Sequence, residues 1–183
     1  MNNERNVVQI ALFTALIAAL GLIPQLTLAF GVPITAQSLG VMLCGTILGA
    51  RRGFLAALLF VALVAIGLPL LAGGRGGLGL FAAPTAGFLI GFPAAAFATG
   101  WITQRLGAVA LGWAAGIGAA VGGIVVLYTF GITGMAIALD RSMMEAALLV
   151  TAFIPGDFIK AVLAGLITAA LYRARPHSVA SRG

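Results

Sequence analysis

The sequence predicts an all-α fold: a polytopic integral membrane bundle of six transmembrane helices with both termini cytoplasmic. Of its 183 residues 62% are hydrophobic and only 8% charged, and the mean hydropathy is +1.16. Soluble domains average about a quarter charged. The apolar runs are continuous rather than alternating, which excludes a porin-like barrel; helices are then the remaining way to satisfy backbone polar groups in lipid. Each crossing takes about 20 residues, so five to seven fit in one membrane domain spanning residues 1 to 183.

The first expected span covers residues 7 to 29 and follows the polar start MNNER. A cleavable signal peptide is the competing reading, but the run outlasts a typical signal core and the rest of the chain is equally apolar. A second span, 36 to 50, ends at Arg51 and Arg52, and a third covers 53 to 69. The stretch LLAGGRGGLG over 70 to 79 is too glycine-rich for a stable helix. The fourth span, 84 to 104, carries Pro93, which predicts a kink, and the fifth covers 107 to 130. Pro155 suits a first helical turn, and Asp157 there complements the positive helix end. The sixth span is therefore placed at 155 to 172, leaving 142 to 153 as an interfacial helix or loop.

Alternation of side from one span to the next then distributes the charges. Arg5, Arg51, Arg52, Arg105, Arg173, Arg175 and Arg182 fall on one side, Arg75 and Arg141 on the other, a bias of seven to two. Basic residues stay cytoplasmic, which orients the chain. It also explains the net charge of +6 without nucleic acid, for which no basic, aromatic-interleaved patch exists. Cys44 is the single cysteine and His177 the single histidine, so no disulfide, cysteine-metal or histidine-based catalytic site is expected. A Ser–Lys arrangement using Lys160 stays open on the residues alone, but an enzyme is not expected. The P-loop pattern is absent, so any active uptake draws its energy from elsewhere.

The remaining polar residues gather on the outer side. Thr35 and Gln37 begin the second span, Arg75 sits in the glycine loop, and Asp157 and Lys160 share one face of the sixth span, three residues apart. They can converge on one pocket. Two readings of Asp157 and Lys160 stand, a ligand site or mutual neutralisation in lipid, and Arg75 reads equally as a solvated loop residue. Gly73 and Gly74 suit a turn whose backbone amides approach a ligand. Ala11, Ala15 and Ala19 recur every fourth residue, as do Gly112 with Gly116 and Gly118 with Gly122. Such faces let helices approach closely in lipid; the glycine pairs read as internal packing, the alanines as internal packing or a protein partner's seat.

Seven stretches together resemble the BioY family, the biotin-specific substrate-binding (S) components of energy-coupling-factor transporters. They are GVPITAQSLG at 31 to 40, GARRG at 49 to 53, IGLP at 66 to 69, AGGRGGLG at 72 to 79, PTAGF at 84 to 88, GFP at 91 to 93 and FIPGDFIK at 153 to 160. The resemblance covers about residues 10 to 172. It implies a six-helix S-component fold in a prokaryotic plasma membrane, with an outward pocket for biotin closed by the loop between the first two spans. It implies that Asp157 and Lys160 contact the ligand, with groups from the glycine loop and second span. Biotin is then the transported ligand, with no further cofactor. Our assignment sets Asp157 and Lys160 against the ureido ring and Arg75, Gln37 or backbone amides against the carboxylate. The apolar walls are expected to include Leu39 or Phe81. The resemblance further implies that the alanine stripe meets a transmembrane coupling subunit (T component) driven by a pair of cytoplasmic ATPases (A components). An S component for thiamin or riboflavin, or a membrane enzyme or assembly protein, are the alternatives.

Overall fold

The computed structural model describes residues 2–27 and 33–182. Helix α1 (Asn2–Leu20) leads to a hairpin of two-residue strands, β1 (Leu26–Thr27) and β2 (Pro33–Ile34), paired antiparallel with Leu26 opposite Ile34. The six crossings that follow from the helices are α1, α2 (Gln37–Leu48), α3 (Ala50–Ala65), α4 (Ala86–Arg105), the stacked pair α5 (Leu111–Ala120) and α6 (Leu127–Leu139), and α8 (Ile154–Ala174). Helix α7 (Met143–Val150) lies between the last two. Among the described residues three continuous helical stretches, Ala86–Arg105, Leu111–Leu139 and Met143–Ala174, are long and apolar enough to cross a membrane.

The short α2 is the axis of the bundle. Eleven of its twelve residues are buried, so neighbouring helices rather than lipid surround its ends, and a span shorter than the hydrocarbon thickness is tolerated there. It stops at Gly49, whose φ of 81° is a conformation that favours glycine, and α3 starts at the next residue. Gln104 of α4 closes this corner: its Oε1 accepts from the Ala50 N–H at 3.1 Å, satisfying an otherwise orphaned helix donor.

Small residues set the other close contacts, as expected of helix pairs in lipid. A Cβ on Gly165 of α8 would stand 2.6 Å from the Gly112 carbonyl oxygen, so the Gly112–Gly116 stripe does hold α5 against α8. The Gly118–Gly122 stripe faces Thr99 and Thr103 of α4. By contrast Ala11, Ala15 and Ala19 all lie exposed, while Thr14 and Ile17 of the same helix are buried. The alanine stripe is on the outside of the bundle.

Three helix ends differ most from the sequence expectation, and the segment left as helix or loop is a helix. Helix α1 ends at Leu20, not 29, because Gly21 and Leu22 turn back on Ala18 and Ala19 ahead of Pro24. Apolar composition continues there, but the backbone leaves the helix for the hairpin. Helix α3 ends at Ala65 rather than 69, where Gly67, with φ of 107°, and Pro69 follow. The fifth crossing runs on past 130 to Leu139: the six-residue π-turn Val121–Val126 joins α5 to α6 without a break, and only Asp140, with φ of 49°, stops it. Residues 143–150 form a helix, started by a capping box in which Ser142 and Glu145 exchange hydrogen bonds. The sixth crossing begins at Ile154 with Pro155 in its first turn, close to the expected start. Helix α4 is continuous through Pro93.

The basic residues expected on one side do meet at one end. The Arg5 guanidinium donates to the His177 carbonyl, Arg52 to Asn6, Gln9 and the Ala180 carbonyl, and Arg182 to carbonyls of the α4–α5 turn. The start of α1, the α2–α3 corner, the α4–α5 turn and the C-terminal tail are thereby tied together. At the other end lie the hairpin, the loop after α3 and the start of α8.

Candidate functional site

In the first turns of α8 the side chains divide sharply. Phe158 and Ile159 are about 60% exposed, while Asp157 is 6% exposed and Lys160 half-buried. The helix period turns the first pair toward lipid and the second, three residues apart, into the bundle. The Lys160 ammonium stands 2.8 Å from Asp157 Oδ1. It also donates to the Thr35 carbonyl at 2.7 Å and to Ser38 Oγ at 2.9 Å. An ammonium has three donors, and all three are used. Ser38 in turn donates to Asp157 Oδ1 at 3.2 Å, and the Tyr128 hydroxyl to Oδ2 at 2.7 Å. A buried ion pair persists only when its remaining lone pairs and protons are satisfied; here α2, α6 and α8 together supply that.

This network forms one pole of a cavity of about 650 Å³, measured with its open mouth. Arg75 lies on the same cavity wall. Its Nε donates to the Ala72 carbonyl at 3.1 Å, and the Leu71 N–H closes the turn on the Arg75 carbonyl at 3.0 Å. Apolar side chains make up most of the remaining wall, chiefly Phe88, Leu89 and Phe92 of α4, Leu127 of α6 and Phe153 before α8. The rings of Phe88 and Phe153 meet edge to face at 6.0 Å. Such a cavity suits a small ligand with an apolar body and polar ends: a ring with N–H donors and a carbonyl at Asp157 and Lys160, an anion near Arg75.

Asp157, Lys160, Arg75, Gln37 and Thr35 thus gather at one cavity, but Gln37 plays another part. It is 1% exposed, its Nε2 donates to the Ile17 and Leu70 carbonyls at 3.1 and 3.0 Å, and its Oε1 accepts from the Ala72 N–H at 3.0 Å. The amide is consumed in bracing α1, α2 and the loop after α3, so it has no place for a ligand carboxylate. Through Ala72 it fixes the turn that carries Arg75. Thr35 contributes its carbonyl to Lys160, and its hydroxyl accepts from the Gln37 N–H at 3.3 Å.

Gly73 and Gly74 do not line the cavity. Both are exposed, with φ of 80° and 69°, and they serve to turn the chain so that Arg75 points inward. Leu39 and Phe81 are likewise absent from the wall; each packs half-buried against the core, Leu39 because it lies a helical step around α2 from Ser38. Of the connection between the first two spans, 28 to 38, expected to close the pocket, residues 28 to 32 lie outside the described residues, while Pro33 and Ile34 form β2. Among the described residues no group of His, Cys, Asp and Glu could hold a metal ion.

Ser38 and Tyr128 escape sequence reasoning. A lone hydroxyl in an apolar helix carries no signal, although Ser38 does lie one residue from Gln37 in the same first turn.

Comparison with known proteins agrees with this geometry. The family model described as "BioY family" matches residues 1–177. A Rhodobacter capsulatus protein named "Biotin transporter BioY" is 53% identical over 189 residues, spanning 98% of this chain and 100% of that protein. A Bacillus subtilis protein named "Probable biotin transporter BioY" is 44% identical over 163 residues, 88% of this chain and 87% of its own. Among solved structures, a crystal structure of the S-component for biotin from an ECF-type ABC transporter superposes with a TM-score of 0.88 at 30% identity, covering 94% of both chains.

Proposed function

The chain belongs to the BioY family, and from that membership we propose that it is the substrate-binding membrane subunit of a vitamin uptake transporter, capturing biotin from the outer face of a prokaryotic plasma membrane. The observation that carries this reading is the buried Asp157–Lys160 pair, 2.8 Å apart, at one pole of a cavity that has Arg75 on its wall. Biotin has matching ends: a ureido ring with N–H donors and a carbonyl, an apolar chain, and a carboxylate. Asp157 accepts from the ring, Lys160 donates to its carbonyl, the aromatic wall of Phe88 and Phe153 covers the apolar part, and Arg75 receives the carboxylate.

Lys160 has no donor to spare before binding, since Thr35, Ser38 and Asp157 take all three. A ligand carbonyl therefore replaces one of these acceptors, and the Thr35 carbonyl, just after the hairpin, is the one that belongs neither to Asp157 nor to a group bonded to it. Capture then trades a bond to the hairpin for a bond to the guest.

Binding alone does no transport work. We place the basic end in the cytoplasm, following the positive-inside rule, and the exposed stripe of Ala11, Ala15 and Ala19 against a transmembrane coupling subunit served by two cytoplasmic ATPases. The flat stripe supports this, because close helix approach in lipid needs small residues on the outer surface.

Equilibrium titration of the purified chain in detergent with biotin, thiamin and riboflavin tests the proposal. A pocket that satisfies each polar group of a rigid bicycle is expected to reach nanomolar biotin affinity, about 12 kcal/mol. Saturable thiamin or riboflavin binding with no response to biotin would reassign the substrate. Silence to all three, together with turnover of some other compound, would favour an enzyme.

A further inference from the structure

We infer that Tyr128 is a positioning residue of this site, aiming the Asp157 carboxylate without touching the ligand. The inference rests on the biotin reading above and extends it to a residue outside the cavity wall. Tyr128 is 7% exposed; its neighbour Leu127 faces the cavity and Tyr128 does not.

Its reach is through Asp157. A carboxylate offers about four lone-pair sites on two oxygens. Oδ1 receives Lys160 and Ser38, and Oδ2 receives the Tyr128 hydroxyl at 2.7 Å. Lys160 belongs to the same helix as Asp157 and Ser38 to α2, so Tyr128 is the anchor that α6 supplies. With one oxygen held from α2 and α8 and the other from α6, the carboxylate plane cannot swing about its terminal torsion, which is broad when unrestrained. What remains is a single open direction, and a ligand N–H must approach along it. Holding a reactive or recognising group in its bound geometry beforehand is what lowers the ordering cost of binding.

The ring has a second contact. It meets Phe88 edge to face, with centroids 6.1 Å apart at 83°, and Phe88 meets Phe153 in the same manner. Tyr128 therefore stands behind both the polar pole and the aromatic wall. Packing of the ring alone would make it an ordinary core residue; the hydroxyl is what makes it a positioning residue, and the two are separable.

Tyr128→Phe keeps the ring and removes the hydroxyl. Biotin affinity is measured for the parent, Tyr128→Phe, Asp157→Asn and the double variant, by equilibrium binding to the full chain in detergent. Tyr128→Phe is expected to bind biotin about tenfold more weakly, and to change affinity less than threefold when Asp157 is already Asn, because the hydroxyl then has no carboxylate to aim. Parent-like binding by Tyr128→Phe, or the same loss in both backgrounds, overturns the assignment. A parent that ignores biotin overturns the biotin reading itself, and this role with it. A second readout does not depend on the phenylalanine variant folding. The chain has two tyrosines, so in a Tyr172→Phe background 3-fluorotyrosine labels Tyr128 alone. Its fluorine resonance is expected to move both on Asp157→Asn and on adding biotin; a resonance unmoved by either overturns the assignment.

Discussion

Replacing Lys160 by alanine removes the cation that, among the described residues, touches the carboxylate of Asp157. The Lys160 side chain is 14% exposed and the Asp157 side chain 8%, so the pair is largely withdrawn from water. Three hydrogen bonds disappear, to Asp157, Ser38 and the Thr35 carbonyl. Deleting one partner of a fully buried pair costs about 3–5 kcal/mol. Here the open cavity lets water reach the orphaned carboxylate, and Ser38 and Tyr128 still donate to it, so the stability loss should fall below that range. Binding suffers differently. A charge-assisted bond to the ligand carbonyl is worth about 1.5–3 kcal/mol, which is about 10- to 150-fold in affinity at 1.4 kcal/mol per decade. Offsetting this, the parent must surrender one bond of its own to accept the ligand, so the lower half of the range is expected. Isothermal titration with biotin reads the affinity, and thermal unfolding without biotin reads the stability. Lys160→Met restores the apolar volume and should recover part of the stability but none of the affinity. If Lys160→Ala binds within threefold of the parent, the ligand does not use Lys160 and the assigned pole is wrong.

Three further outcomes follow from the same geometry. Arg75→Gln should weaken biotin about tenfold yet leave biotin methyl ester unchanged, because the ester lacks the anion that Arg75 receives; equal losses for both would place the carboxylate elsewhere. Gln37→Ala strands two carbonyls and one N–H in a buried site, at about 1–3 kcal/mol for each group left dry, and should lower the unfolding temperature by several degrees. A Gln37→Ala protein as stable as the parent would contradict the bracing role. Ala15→Trp should leave biotin affinity intact while abolishing co-purification with a coupling subunit, and retained co-purification would move that partner to another face.

The crossings were legible in the sequence because insertion into lipid depends on composition, which apolar runs report directly. Helix ends were less so. Around residues 21 to 27 the composition stays apolar while the backbone turns, and from 131 to 139 nothing marks where the helix should stop until Asp140. Asp157 and Lys160 stood out because charge inside an apolar run is costly and therefore rare. Gln37 stood out as a polar group beginning an apolar run, but its neutral amide can serve a ligand or the backbone equally well, and the approach of Ile17, Leu70 and Ala72 decides between them. Gly73 and Gly74 marked the loop that carries Arg75; they turn the chain beside it and lie outside the cavity wall. Ser38 and Tyr128 depend wholly on which helices become neighbours, α2 and α6 against α8, and spacing along the chain does not encode that. The alanine stripe was visible as a pattern, but its outward direction needed the bundle.

A crystal structure of the chain with biotin bound tests the central claim most directly. The ureido ring should lie within hydrogen-bonding distance of Asp157 and Lys160, with the carboxylate toward Arg75 and the Lys160–Thr35 bond broken. Biotin seated at another surface, or in this cavity with Asp157 and Lys160 bonded only to each other and to Ser38, Thr35 and Tyr128, would contradict it.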